Sequence, residues 1–137
     1  MKGNAEIEIA FLTIDEVIVL HTQAIRRYTP GESLTILDMG KLDAAVMQPQ
    51  QTFSGEHLYR SLPEMAAAYL IGLALNHPFE NGNKRVAFGA CSTFLKMNGF
   101  RLTMSEREAT DMTLRLVTHE ISRDDLIAIL DRFTEPI

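Results

Sequence analysis

Residues 77–85, HPFENGNKR, combine side chains that can move a proton with side chains that can bind an anion. His77 opens the segment, Gly82 lies near its middle, and Lys84 and Arg85 close it. Histidine is the side chain best suited to accept a proton near neutral pH. Glycine permits a left-handed backbone, so that neighbouring N–H groups can converge on a ligand. These residue types favour an anion-binding loop beside a general base.

Two apolar, helix-like runs flank this segment, PEMAAAYLIGLAL before it and VAFGACSTFLKM after it. The first amides of the second helix therefore lack intrahelical partners, and the helix dipole makes their surroundings positive. Lys84 and Arg85 are predicted in that first turn, where a cation costs roughly 0.3–1 kcal/mol. A phosphate would offset this cost, bound by the Arg85 fork and by Lys84 as a point charge. A base beside a phosphate site suits phosphoryl transfer to a hydroxyl.

A purely structural interpretation of the same residues stays open. An Asn-Gly turn, an asparagine cap and two surface cations are common in helical proteins, and a lone loop histidine usually does no chemistry. Pro78 stiffens the backbone, and Phe79 is predicted to bury its ring and anchor the loop. Residue chemistry alone does not decide between catalysis and structure.

Bulk properties limit the possible functions. A chain of 137 residues suits one domain with a substantial core. The formal net charge of −5 argues against direct nucleic-acid binding. Cys91 is the single cysteine, so we expect no internal disulfide and a reducing, cytoplasmic location. The longest apolar run, residues 65–75, is too short to span a bilayer, and no secretory signal pattern opens the chain.

The hydrophobic pattern predicts one all-α domain over residues 1–137, with about six helices. The predicted helix starts and spans are Thr13 to Tyr28, Met39 to Met47, Pro63 to about Asn76, the segment after the loop to Asn98, and helices starting at Ser105 and Ser122. QPQQTFSGEHL is predicted as an exposed loop. EIEIAF near the N-terminus alternates, which fits either a short edge strand or a flexible lead-in over residues 1–10.

Other polar residues are interpreted as structural. His21 lies on the apolar stripe of the first helix and is predicted to be a partly buried core histidine, not a ligand. His57 and His119 lack the second His or Cys that a zinc site needs. Cys91 is predicted to pack in the core, because no activating base is evident.

At residues 77–85 the sequence resembles the Fic/Doc family, and specifically its Doc (death-on-curing) branch. The family motif is H-x-F-x-(D/E)-(A/G)-N-(K/G)-R. The matching positions are His77, Phe79, Gly82, Asn83, Lys84 and Arg85, and only Asn81 departs. FLTIDEVIVLH, LDAAVMQPQQTFSGEHLY and FLKMNGFRL extend the likeness over most of the chain.

The resemblance implies an all-helical Fic fold with a nucleotide-dependent transferase site. His77 would be the general base, and Gly82, Asn83 and Arg85 would form the anion hole for nucleotide phosphates. Lys84 stands where adenylyl-transferring Fic enzymes have a second glycine, which implies Doc-type transfer of the γ-phosphate of ATP. Phe88 stands where the Fic pattern has a second arginine, and it is predicted to be a core residue.

Asn81 weakens the expected metal site. Family members usually carry an acid at this position to hold the Mg²⁺ that bridges nucleotide phosphates. The amide of Asn81 offers a neutral oxygen, which is a weaker ligand for a hard cation. The expectation is either low activity or an Mg²⁺ ion held mainly by nucleotide phosphates and water.

The resemblance also implies partners. Thr52 to Glu56 approaches the inhibitory Fic pattern (S/T)-x-x-x-E-(G/N), but His57 follows and the stretch is predicted as loop. A separate Phd-type antitoxin is therefore expected, with a disordered tail that folds on binding. The expected acceptor is a translation factor, with elongation factor Tu as the best candidate. Two alternatives are an adenylyl transferase and a catalytically inactive Fic fold that acts as an antitoxin-binding module.

Overall fold

The computed structural model describes residues 8–137, which form six helices and four very short strands. The helices are α1 (Ile14–Tyr28), α2 (Met39–Met47), α3 (Leu62–Asn76), α4 (Asn83–Met97), α5 (Glu106–Val117) and α6 (Arg123–Phe133). The strands are β1 (Thr52–Phe53), β2 (Glu56–His57), β3 (Phe100–Leu102) and β4 (Thr134–Pro136). The predicted helical fold class is confirmed.

Local hydrogen bonds begin three of these helices where the sequence predicts them. Thr13, Ser105 and Ser122 are the N-caps of α1, α5 and α6, and each forms a reciprocal capping box with the third helical residue. The side chain of each cap accepts from a backbone N–H that the helix itself leaves unpaired. Pro63 lies in the first turn of α3, where a missing N–H costs nothing.

Helix α3 is the centre of the fold. Eight of its residues are buried, and they cover nearly every side of the helix: Met65, Ala66, Ala67, Ala68, Tyr69, Leu70, Leu73 and Ala74. It packs most extensively on α4, and α2 and α6 cover other sides. Because small residues line much of α3, its neighbours approach closely and fix the direction of the loop that leaves its C-terminus.

Two segments differ from their sequence-based predictions, the loop QPQQTFSGEHL and the N-terminal EIEIAF. The segment predicted as an exposed loop contains a short 3₁₀ helix (Gln48–Gln50) with a buried Pro49, followed by the antiparallel hairpin β1–β2. The remaining residues 51–58 are exposed, as expected. Of the two alternatives for EIEIAF, the short edge strand is not formed over residues 8–11, and the earlier residues lie outside the described part of the chain.

Strands β3 and β4 were not predicted. They pair antiparallel, with Arg101 opposite Glu135, and so tie the end of α4 to the end of α6. Gly99, at φ +89°, turns the chain between α4 and β3. Within residues 8–137, no helix is long and apolar enough to cross a membrane.

Candidate active site

The loop between α3 and α4 reverses the chain through two left-handed residues. His77 ends α3 at φ 49° and ψ 57°, and its side chain is exposed. Gly82 precedes α4 at φ 77° and ψ 17°. Left-handed backbone is uncommon outside glycine, although histidine adopts it more readily than most residues. The turn therefore exposes an imidazole at the entrance to the loop.

A neighbouring segment before α2 holds one side of the loop. The N–H of Leu37 donates to the carbonyl of Pro78 at 2.8 Å, and the N–H of Glu80 donates to the carbonyl of Thr35 at 3.0 Å. Ile36 and Phe79 form an isolated antiparallel bridge between these bonds. Residues 78–80 therefore pair with residues 35–37 as two short antiparallel strands do, and these bonds hold the first half of the loop in place.

The side chain of Asn83 closes the loop on itself. Its Oδ1 accepts from the N–H of Phe79 at 3.0 Å, and its Nδ2 donates to the carbonyl of Phe79 at 2.9 Å. Both polar ends of the amide are thus used within the loop. The backbone N–H of Asn83 has no acceptor among residues 8–137 and is available to a ligand.

Helix α1 supplies the floor of the loop. His21 is 1% exposed, and its ring stacks on that of Phe79 with centroids 3.7 Å apart and planes 9° apart. Its Nε2 lies 2.7 Å from the carbonyl oxygen of Asn81. Burial lowers the pKa of His21 below its ordinary value, while the bond to Asn81 opposes that shift. A neutral imidazole with its hydrogen on Nε2 satisfies this geometry.

The backbone at Gly82 comes close to the same helix. A Cβ at this position would lie 2.9 Å from Cδ1 of Ile25 and 3.5 Å from Nε2 of His21. Such a contact is too short for a side chain unless its neighbours move. A side chain at position 82 would therefore have to displace Ile25 and would also adopt a strained positive φ, and glycine avoids both costs.

The start of α4 carries unpaired amides and two cations. Among residues 8–137, nothing accepts from the backbone N–H groups of Asn83, Lys84 and Arg85, and no side chain caps this helix. The first turn contains no acid. Lys84 and Arg85 are both exposed. This end of the helix can therefore bind an anion through its amides, its dipole and its two cations.

Arg85 is oriented by an aromatic ring from α1. Its Cζ lies 3.9 Å from the ring centre of Tyr28, and the hydroxyl of Tyr28 donates to Oε1 of Glu106 at 2.6 Å. A cavity of about 270 Å³ opens beside these groups, between α1, α4 and α5. Phe88 lines this cavity and packs partly against the core, as expected for a residue that is not a phosphate ligand.

Few groups near the loop could hold a metal ion. Over residues 8–137, no three His, Cys, Asp or Glu side chains cluster closely enough to bind one. Asn81 is half-buried, and its carbonyl is engaged by His21, while Glu80 is exposed. These groups suit an Mg²⁺ ion that arrives with nucleotide phosphates, since Mg²⁺ commonly uses few protein oxygens.

Two contributors to the site were missed by sequence reasoning. His21 is buried, as predicted, but it bonds the loop, and Tyr28 stacks on Arg85. A buried histidine always needs a hydrogen-bond partner, which is the one signal that pointed to such a role. Cys91 is confirmed as a packing residue, since it is buried in the core, and this burial raises the pKa of its thiol to about 12.

The chain is similar in sequence to known proteins. A family model described as Fic/DOC family matches residues 11–95, which include the whole loop. The chain is 40% identical over 105 residues to "Toxin Doc" of Mycolicibacterium smegmatis, covering 75% of this chain and 81% of the relative. It is 34% identical over 120 residues to "Protein kinase doc" of Escherichia phage P1, covering 86% of this chain and 90% of the relative.

Proposed function

Because the chain belongs to the Doc branch of the Fic/Doc family, we propose that it is the toxin of a toxin–antitoxin pair. In this proposal the toxin transfers the γ-phosphate of ATP to a hydroxyl group of a protein. The relative named as a protein kinase supports this type of reaction. One observation carries the proposal: unpaired amides and two cations at the start of α4 lie within eight residues after the exposed imidazole of His77.

The chemical step needs a base and an anion site. The oxygen of the acceptor hydroxyl bonds to the γ-phosphorus, and the bond from that phosphorus to the β–γ bridging oxygen breaks, so that ADP leaves. His77 accepts the proton of the hydroxyl. The amides of residues 82–85, with Lys84 and Arg85, stabilise negative charge on the transferred group.

Lys84 supports transfer of the γ-phosphate over adenylyl transfer. It lies in the first turn of α4, where adenylyl-transferring members of the family have a second glycine. Its ammonium adds a point charge, whereas Arg85 presents a planar fork. Both cations are exposed, so a triphosphate can reach them.

Mg²⁺ would accompany ATP in this proposal, and the side-chain oxygen of Asn81 would be its protein ligand, at the position where the family usually carries an acid. When bound, the ion would neutralise phosphate charge. The neutral amide of Asn81 also supports the second candidate, a catalytically inactive Fic fold that serves as an antitoxin-binding module.

The proposed partners follow from the same family. A Phd-type antitoxin would neutralise the toxin, and elongation factor Tu in the cytoplasm is the proposed acceptor. Neither proposal involves direct contact with nucleic acid, in keeping with a net charge of −5. Halting translation through a modified factor would explain growth arrest when the antitoxin is removed.

A growth assay with two matched histidine variants tests the proposal. His77→Ala should abolish growth arrest and lower phosphoryl transfer by about 10²–10⁴-fold, because the base is lost. His119→Ala is the control, since His119 is also exposed and left-handed, at φ 63°, but lies far along the chain at the end of α5. It should leave both activities unchanged.

Labelled ATP separates the remaining alternatives. Label from the γ-phosphate should reach the target protein, and label from the α-phosphate should not. Transfer of the α label would replace the proposal with adenylyl transfer. An arrest that persists unchanged in His77→Ala would favour the inactive binding module.

A further inference from the structure

His21 contacts the candidate phosphate loop from below, although it precedes Asn81 by 60 residues. It is 1% exposed and sits between the ring of Phe79 and the backbone of Gly82. Proteins rarely bury an imidazole without a hydrogen-bonding reason, because the buried ring must satisfy its nitrogens. The contact with Asn81 supplies that reason for Nε2.

The bond from His21 fixes the direction of one peptide unit. A backbone carbonyl only accepts hydrogen bonds, so Nε2 of His21 must donate to the carbonyl of Asn81. That carbonyl and the N–H of Gly82 belong to the same planar, trans peptide and point in opposite directions. With the carbonyl held toward α1, the N–H of Gly82 points away from α1.

Because residue 82 is glycine, the hydrogen bond from His21 is needed to fix the orientation of the Asn81–Gly82 peptide. The peptide between residues 81 and 82 can rotate more readily when the following residue is glycine, because no Cβ resists the change in φ. In the rotated state the carbonyl oxygen of Asn81 would turn away from His21 and present negative charge where an anion should bind. The Nε2–H of His21 stabilises the other orientation.

We propose that His21 is a positioning residue that holds the Asn81–Gly82 peptide with its N–H available to a nucleotide phosphate. This inference rests on the proposed function for the identity of the ligand. The peptide orientation itself does not depend on it.

Two variants separate hydrogen bonding from packing. His21→Gln places an amide N–H near the position of Nε2 but removes the ring that stacks on Phe79. His21→Phe keeps a ring and loses the donor. If His21 only packs, Phe should substitute better than Gln; if it positions the peptide, Gln should substitute better than Phe.

The first measurement is the Kd for ATP of the purified, antitoxin-free chain, by calorimetry. His21→Phe should raise the Kd about ten-fold or more, and His21→Gln should raise it about three-fold or less. Val17→Ala, one turn earlier on the same buried face of α1, should lower the Tm without changing the Kd. Equal Kd values for wild type and His21→Phe would overturn the inference.

The second measurement is the ¹⁵N–¹H shift of the Gly82 amide in the same proteins, without nucleotide. His21→Phe should move this signal strongly, whereas His21→Gln should leave it near its wild-type position. If wild-type protein binds no ATP, the proposed function fails, and the amide shifts alone decide the inference. If His21→Phe does not fold, His21→Asn replaces it, because its shorter amide cannot reach the carbonyl of Asn81.

Discussion

Helices α4 and α6 begin in opposite ways, although both pack on the same core. At α6, Ser122 and Asp125 form a reciprocal capping box, and the first turn carries two acids. At α4, Gly82 provides no side-chain cap, and the first turn carries Lys84 and Arg85. The capping box and the acids stabilise the start of α6, whereas the missing cap and the two cations do not stabilise the start of α4.

The comparison of the two helix starts indicates that α4 is locally less stable at its start because this start is suited to binding a ligand. A capping box occupies amides that a ligand would otherwise bind, and acids there would repel a phosphate. The α4 start leaves its amides unpaired and places positive charge beside them, so its stability comes instead from contacts with α1 and with residues 35–38. Substitutions at the two helix starts should therefore have opposite consequences.

The largest effect is expected at Gly82. Gly82→Ala should lower the free energy of unfolding by about 2 kcal/mol or more, since a left-handed residue costs about 1–2 kcal/mol and the new Cβ meets Ile25. ATP binding should be lost with it. Urea denaturation and calorimetry measure the two effects.

Gly99→Ala is the matched control for this substitution, because Gly99 is also left-handed, at φ +89°, but has nothing within 4 Å of a new Cβ. It should show only the backbone cost and bind ATP normally. Ile25→Val removes the Cδ1 methyl and should partly restore Gly82→Ala. Equal destabilisation by the two alanines would contradict the close approach of Gly82 to α1.

The second effect comes from charge at equivalent helix positions. Lys84 and Asp124 are each the second residue after an N-cap, in α4 and α6 respectively. Lys84→Gln should weaken ATP binding about ten-fold, because a charge-assisted contact is lost. It should nevertheless raise the free energy of unfolding by a few tenths of a kcal/mol at low salt.

Asp124→Asn should lower the free energy of unfolding by a similarly small amount and leave ATP binding unchanged. Chemical denaturation at low and high salt checks both variants, because salt should reduce the two shifts together. A loss of stability in Lys84→Gln would show that Lys84 serves the fold and not a ligand.

The third effect is expected at the cap of α6, where stability alone should change. Ser122→Ala should lower the free energy of unfolding at pH 7 by about 1 kcal/mol without affecting ATP binding. Urea denaturation measures this, and a nucleotide-affinity change would argue against the separation of the two helix starts.

The same cap predicts a pH dependence. The bond from the backbone N–H of Ser122, and next to it the interaction with the Ser122 side chain, lower the pKa of Asp125 below its ordinary value of 3.8. The unfolded chain therefore binds this proton more readily, so the stabilisation is present above about pH 3.8 and lost as the pH falls through the folded pKa. In Ser122→Ala, NMR titration should show the pKa of Asp125 moved up, toward the ordinary value.

Much of the fold was predictable because its signals are local. The capping boxes at Thr13, Ser105 and Ser122 join residues three apart in the chain, so the helix starts follow from short segments. The strands β3 and β4 were not predictable, because they are short and about 34 residues apart. The hairpin β1–β2 was also missed, as each strand has only two residues.

The sequence by itself determined which loop carries the candidate chemistry and where the capped helices begin, since motif spacing and capping depend on residues a few positions apart. Only the tertiary structure decided how that loop is held. The bond from His21 to Asn81, the ring of Tyr28 beside Arg85 and the closeness of Ile25 to Gly82 all join α1 to residues about 60 positions later. No local pattern encodes such contacts, because they arise when separate helices pack on one core.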